Sequence, residues 1–203
     1  MVSFSDVDVF VAIRQDQTTY SKIRSTALDL FVKHGYEEVG LRQIAQAIGI
    51  QPGSLYNHID GKEGLLFSLI FEYDVALIGH LKKSVEPSTL PRDKLEQYVY
   101  TYICYGVLNH DLHLLASRER MYLAGVYGER IQSSKNAMSD LLDRIIDDGA
   151  ALGEFCSKEE LLAVIAIESV LNGFVASISG DRQEHWEALS KLACGIVLKM
   201  VNK

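Results

Sequence analysis

Gly40-Leu41-Arg42-Gln43-Ile44-Ala45-Gln46-Ala47-Ile48-Gly49-Ile50-Gln51-Pro52-Gly53-Ser54-Leu55-Tyr56-Asn57-His58-Ile59 is the stretch that decides the fold. Leu41, Ile44, Ala45 and Ile48 fall at i, i+3, i+4 and i+7, which draws one apolar stripe along a short helix. Gly49 ends that helix, because glycine takes the left-handed conformation of a helix terminus without steric cost. Gln51-Pro52-Gly53-Ser54 opens a second short helix, since proline is tolerated in a first turn, with Leu55 and Ile59 as its buried pair. Two short helices joined by a glycine-containing turn read as a helix-turn-helix.

Upstream, Ile23, Ala27, Leu30 and Phe31 share one helical face from Thr19 onward, and Gly35 closes that helix. Downstream, Asp60-Gly61-Lys62-Glu63 reads as an N-cap with a carboxylate three residues on, the start of a long helix to about Lys83. Pro87 and Pro91 bracket a linker, and Pro91 lies in the first turn of a helix to about Asn109. Helical spacing resumes from about Asp111 to Met121 and from about Ala124 to Asp148, where Gly149 and Gly153 mark a loop. Ser157 with Glu160 reads as a capping box for a helix from Leu161 to Ser179. That helix is apolar nearly all round, which predicts burial on several sides. The last helix, about Glu184 to Val201, carries Leu189, Leu192, Ala193, Ile196, Val197 and Met200 on one stripe that calls for a partner. The chain reads as all-α, with an arm at 1–17, a three-helix module containing the helix-turn-helix at 18–66 and a larger helical bundle at 67–203.

Composition bounds what such a chain does. Of 203 residues, 48% are hydrophobic and 3 are proline, as expected of unbroken helices around a core rather than of a disordered chain. The absence of about 18 consecutive apolar residues, and of a basic segment followed by an apolar run, predicts a cytoplasmic protein with no membrane partner. Cys104, Cys156 and Cys194 are odd in number and lack paired short spacing, so neither a disulfide framework nor a zinc knuckle is expected. His110 and His113 share a helix face but have no third ligand at useful spacing, so no metal is expected. No phosphate loop, nucleophile elbow or paired-carboxylate site is present, so neither catalysis nor a cofactor is expected. The formal charge of −7 argues against a bulk nucleic-acid binder, but residues 18–83 carry seven basic and seven acidic groups while residues 84–203 carry twelve basic and seventeen acidic. The acidity lies mainly in the C-terminal part, and phosphate contact depends on the local field.

Gly35-Tyr36, Leu41-Arg42-Gln43-Ile44-Ala45, Gly49-Ile50, Gly53-Ser54-Leu55-Tyr56-Asn57-His58-Ile59 and Lys62-Glu63-Gly64-Leu65-Leu66 together resemble the DNA-binding module of the TetR family of bacterial regulators, without a gap over about Ser21 to Leu69. In the C-terminal part the likeness is limited to helical layout and to Asp148-Gly149 through Gly153-Glu154-Phe155. The resemblance implies that Gln51, Pro52, Gly53, Ser54, Tyr56, Asn57 and His58 form the recognition helix and its lead-in. The chemistry of these residues suits that role. The Ser54 and Tyr56 hydroxyls and the His58 ring are donors suited to phosphate oxygens, and Lys62 at a helix start adds its charge to another phosphate. Arg42 reaches phosphate or a guanine edge, Gln51 and Asn57 carry the amides that pair with adenine, and Gly53 allows close backbone approach. Each has an ordinary reading too: Tyr56 partly in the core, His58 capping a helix end, Lys62 a solvated charge. Members of the family commonly place Thr or Ser before the second helix. Val39 and Gly40 stand here, and the hydroxyl's phosphate contact is absent.

The resemblance further implies that 67–203 binds an effector and dimerises. Tyr98, Tyr102 and Tyr105, at i, i+4 and i+7, with Tyr122 give an aromatic set that lines either a pocket or an ordinary core. Glu168 and Asn172, four apart in a very apolar helix, need partners, whether a ligand, Arg118 or Arg120, or a dimer seam. The Arg118-Glu119-Arg120 cluster suits an anionic effector such as an acyl thioester, or is a solvated face. The expected function is a ligand-responsive repressor, a homodimer through its last two helices, released from a pseudo-palindromic operator when a small molecule binds the non-DNA state better. Two other readings stand beside it: a helical ligand-binding protein that has lost DNA binding, and an architectural DNA-binding factor without an effector.

Overall fold

A computed structural model describes residues 18–156, 160–178 and 186–202. The expected arm at 1–17, Ser157 of the second capping box and the start of the last helix at Glu184 lie outside the described residues. The rest is helical: α1 (Thr19–His34), α2 (Leu41–Ile48), α3 (Pro52–Leu55), α4 (Gly61–Val85), α5 (Pro91–Leu108), α6 (His110–Glu119), α7 (Gly125–Ala151), α8 (Glu160–Ser177) and α9 (Trp186–Val201), with a 3-10 turn at Arg120–Tyr122 between α6 and α7. No strand occurs among the described residues, only an isolated bridge between Phe155 and Asn202.

By contact the chain parts into two compact units: residues up to Tyr73 with Asp111–Ile131, and Asp74–His110 with residues from Gln132 on. The sequence reading divided the chain into 1–17, 18–66 and 67–203, since a reading that follows the chain has no signal for a distant segment returning. Here α6 and the first turns of α7 return to the helix-turn-helix, and α4 contributes to both units.

In the first unit, Thr18 caps α1 by accepting the Ser21 N–H at 3.2 Å, and the Gly35 N–H closes its end on the Phe31 carbonyl at 2.9 Å. Ile23, Ala27 and Phe31 are fully buried, one face at a four-residue step. α2 buries Ile44 and Ala45, and ends at Gly49 with φ 74°, a left-handed residue whose position accounts for the glycine. α1 packs on α2, and α2 on α3.

The second unit is built around α5, which packs against α8 and α9. Every residue from Thr101 to Val107 is buried, so α5 is the all-round core helix. The sequence pattern assigned that place to α8. Among the described residues the chain covers one side of α8, through Val164, Ile167, Leu171 and Val175, and leaves Leu162 and Ile165 58% and 52% exposed. Gly106 lets α5 approach α8 closely, since a Cβ there would lie 2.8 Å from Val175 Cγ2. After α7 the chain turns at Gly153, and the Cys156 N–H bonds the Val201 carbonyl at 2.7 Å, tying the loop to the end of α9.

α4 is, among the described residues, the one helix long and apolar enough to cross a bilayer. Glu72, Asp74 and His80 interrupt it, which is why no unbroken apolar run shows in the sequence. Leu65, Leu66, Leu69, Ile70, Leu77 and Leu81 are buried in the protein's own core, which accounts for the apolar composition.

A Cβ on Gly149 would run into the ring of Phe155, a fully buried residue. Gly149→Ala is therefore expected to lower stability by about 1–3 kcal/mol through overpacking, read as a lower denaturation midpoint, whereas Gly79→Ala, with nothing near the added carbon, leaves it unchanged or higher.

Candidate nucleic-acid interface

α3 is only four residues long, and the chain continues it through Tyr56–His58 as a tight coil. The Ser54 N–H bonds the Gln51 carbonyl at 2.9 Å, His58 N–H the Leu55 carbonyl at 2.8 Å, and Ile59 N–H the same carbonyl at 3.1 Å. Leu55 is fully buried and Ile59 nearly so, as their four-residue spacing predicts. This fixes the outward set. Gln51, Pro52, Gly53, Tyr56, Asn57 and His58 are exposed, and Ser54 is half-buried. Tyr56 is 65% exposed, which removes the core reading of its ring. Gly53 has no structural need to be glycine, since a Cβ there meets nothing within 4 Å. Its small size matters only to something that approaches from outside.

Arg42 is exposed on α2. Gly40 stands at the N-cap of α2 without a side chain to offer, and Gln43 supplies half of a capping box by accepting the Gly40 N–H on Oε1 at 2.6 Å. The substitution of glycine for a hydroxyl residue thus keeps the helix start.

Lys62, in the first turn of α4, is not a freely solvated charge. Its ammonium donates to the Glu37 carbonyl at 3.1 Å and lies 4.2 Å from the centre of the Tyr36 ring. Partial burial lowers its pKa, opposed by the nearby carboxylates of Glu37, Glu38 and Glu119. The contacts with the Glu37 carbonyl and the Tyr36 ring hold it in one place at the start of α4.

Residues 23–69 match the family model for bacterial regulatory proteins of the tetR family, and residues 88–176 match the tetracyclin repressor-like C-terminal domain. The fatty acid metabolism regulator protein of Bacillus subtilis is 21% identical over 142 residues, 70% of this chain and 73% of that protein. A tetR-family regulatory protein from Rhodococcus RHA1 superposes with a TM-score of 0.85 at 22% identity, covering 92% of this chain and 98% of that one. The crystal structure of AibR in complex with isovaleryl coenzyme A and operator DNA superposes with a TM-score of 0.79 at 20% identity, covering 87% and 96%. The chain belongs to the TetR family. It is a DNA-binding transcriptional regulator, all-α, with its helix-turn-helix at the N-terminal end.

In this TetR-family chain the residues singled out for an effector divide between the units. Tyr98, Tyr102, Tyr105, Glu168 and Asn172 fall in the second, Arg118 and Tyr122 in the first. In the second unit the Tyr102 hydroxyl donates to Asn172 Oδ1 at 2.9 Å, and the Ser139 hydroxyl donates to Glu168 Oε1 at 2.6 Å. Asn172 and Glu168 of the apolar α8 thereby have partners on α5 and α7. Tyr98 and Tyr105 are buried, and burial pushes the Tyr105 hydroxyl up to about 12. Tyr102 and Tyr98 stack at 6.4 Å. In the first unit Arg118 is exposed, and Tyr122 donates its hydroxyl to Glu37 at 3.0 Å. His113, half of the histidine pair, faces the Tyr73 hydroxyl at 2.9 Å through Nδ1.

Sequence reasoning missed Arg24. Its buried guanidinium donates to Ser68 Oγ at 2.8 Å and to Glu72 Oε2 at 2.7 Å, and stacks over Tyr20. These bonds tie α1 to α4 and set the frame on which α2 and α3 sit. The partners are 44 and 48 residues away, so no local period exposes them; a charged residue on the buried face of α1, one position after Ile23, is the only trace. Arg24→Ala is expected to cost about 1–3 kcal/mol, because packing and several charge-assisted bonds go together. Glu72→Gln should cost under about 1 kcal/mol, since that carboxylate is half exposed. Chemical denaturation of the two variants checks the order.

Proposed function

We propose that this regulator is a repressor that binds a pseudo-palindromic duplex as a homodimer and is released by a small acyl thioester. The observation that carries the DNA half is the outward row on and after α3. Gln51, Tyr56, Asn57 and His58 are exposed polar side chains on a coil whose apolar members all point inward, and Gly53 leaves room for close approach. In this reading Ser54, Tyr56, His58 and Lys62 hold phosphates, Gln51 and Asn57 read base edges, Pro52 starts the helix and Arg42 reaches phosphate or guanine.

The dimer rests on the last two helices. Leu162 and Ile165 of α8 and Leu192 of α9, the last 56% exposed, are large apolar side chains that the single chain leaves uncovered. A second copy placed there gives a four-helix seam and two recognition coils, with half-sites about one helical turn or a multiple apart. The effector half rests on chemistry and kinship. A relative regulates fatty acid metabolism, and another was crystallised with isovaleryl coenzyme A as well as operator DNA. The aromatic α5, with Tyr98, Tyr102 and Tyr105, suits the acyl chain. α4 contributes to both units, so a change among the residues after Asp74 has a covalent path to Lys62.

Anisotropy titration of duplex fragments from upstream of its own gene, over a salt series, tests the reading. Selective binding with a steep negative salt slope, roughly −0.9 per phosphate neutralised, and release on adding acyl-coenzyme A thioesters but not free coenzyme A, is expected. Binding that is selective yet indifferent to every acyl thioester removes the effector half; weak, unselective binding to all fragments of the genome removes the whole. Ile165→Glu with Leu192→Glu should give a monomer by sedimentation and lose selective binding, and a dimer that persists would place the seam elsewhere.

A further inference from the structure

Lys62 is surrounded by acids that do not neutralise it. Glu63 is its chain neighbour, and Glu37 lies so close that its main-chain carbonyl touches the ammonium at 3.1 Å. Yet neither carboxylate forms an ion pair with Lys62 among the described residues; both accept hydrogen bonds from other groups, and from the same short segment. The Tyr122 hydroxyl donates to Glu37 Oε2 at 3.0 Å, and the Ala124 N–H donates to Glu63 Oε1 at 3.1 Å. The Tyr122 ring also packs against Tyr36 at 5.4 Å, and the Lys62 ammonium rests on Tyr36.

We infer that Tyr122 and Ala124, in the connection between α6 and α7, hold Glu37 and Glu63 away from Lys62, and so keep its charge available to a DNA phosphate. The inference rests on the reading of Lys62 as a phosphate contact and assigns Tyr122 and Glu37 as positioning residues for it. A carboxylate one side-chain rotation from an ammonium is a strong intramolecular competitor with phosphate, because its effective concentration is far above that of any operator. With its carboxylate engaged by Tyr122, Glu37 bonds Lys62 through its neutral carbonyl and its carboxylate acts on the ammonium only through space, so no direct ion pair competes with a phosphate. The hydrogen bond to Glu37 raises the Tyr122 pKa, so the hydroxyl remains a donor through the ordinary pH range. Withdrawal of the 120–124 segment would return the carboxylates to Lys62. The connection thus controls DNA affinity without any contact to DNA of its own.

The test uses the full-length protein and a duplex selected by it from a randomised library. Tyr122→Phe removes only the hydroxyl and leaves the ring on Tyr36. It should weaken binding by about 3- to 10-fold and flatten the log-log salt slope by about one, the signature of a lost phosphate contact. Adding Glu37→Gln, whose amide cannot cancel the ammonium, should restore both the affinity and the slope. A merely structural role for Tyr122 predicts no such rescue. Wild-type affinity in Tyr122→Phe, or a double variant no tighter than Tyr122→Phe, overturns the inference. Lys62→Ala separates this from the underlying reading. If it binds as tightly as wild type, Lys62 is not a phosphate contact and both fail; if it weakens binding while Tyr122→Phe does not, the keeper role alone fails.

Discussion

A helix of four residues has no stability of its own, since nucleation costs more than one turn of hydrogen bonds returns. The pose of α3 therefore depends on the burial of Leu55, and through it on the core that receives that side chain. Ile44 and Ala45 of α2 and Ile23, Ala27 and Phe31 of α1 are buried to the same degree, so the reading face is the outer skin of a small but closed core. The exposed residues after Gln51 need no bonds among themselves; their directions follow from a helical coil with two fixed inward points, Leu55 and Ile59. Arg24 secures this frame in a second way. It inserts a charge into the seam of α1 with α4, where Ser68 and Glu72 receive it with directional bonds that a slipped register would break.

What was legible in the sequence is what repeats at short range. The stripe of α2, the glycines that end α1 and α2, the proline that opens α3 and the pair Leu55 with Ile59 are all set by contacts within eight residues, and all of them stand in the structure. What was not legible depends on distant partners. Arg24 reads as an ordinary charge until Glu72 is beside it, and Tyr122 as an aromatic lining until Glu37 receives its hydroxyl. The greasiness of α8 was visible but not its meaning. Composition gives how much apolar surface a helix offers and not which protein covers it, so α5, less apolar in mean composition, took the central place instead.

The acidic balance of the chain also changes meaning once residues are placed. A net charge of −7 opposes association with a polyanion at long range. Long-range repulsion is screened within about 8–10 Å at physiological salt, so the contacts that matter are those made at the surface of the helix-turn-helix. There the availability of a cation depends on whether the acids around it are bonded to other donors. Glu37 and Glu63 are close to Lys62 in the chain or in space, and both accept bonds from neutral donors instead. A neutral donor lowers a carboxylate's ability to attract a cation without removing its charge, so the arrangement is reversible by small movements.

That reversibility fits the demands on a regulator better than a fixed basic patch would. A permanent cluster of lysines gives tight DNA binding that an effector must overcome by distorting whole helices, and a shift from mostly bound to mostly free needs several kcal/mol of differential ligand affinity. A cation whose neutralisation depends on one hydroxyl and one N–H changes its contribution when a short connection moves by the length of a hydrogen bond. Gly125, with φ 52°, follows Ala124 immediately and gives the connection a residue for which left-handed backbone is unstrained. The device also explains an apparent fault in the sequence, acidic residues placed around the lysine that starts α4. If affinity alone had been optimised, Glu37 and Glu63 would weaken the site; if affinity must be adjustable, they are what makes Lys62 adjustable.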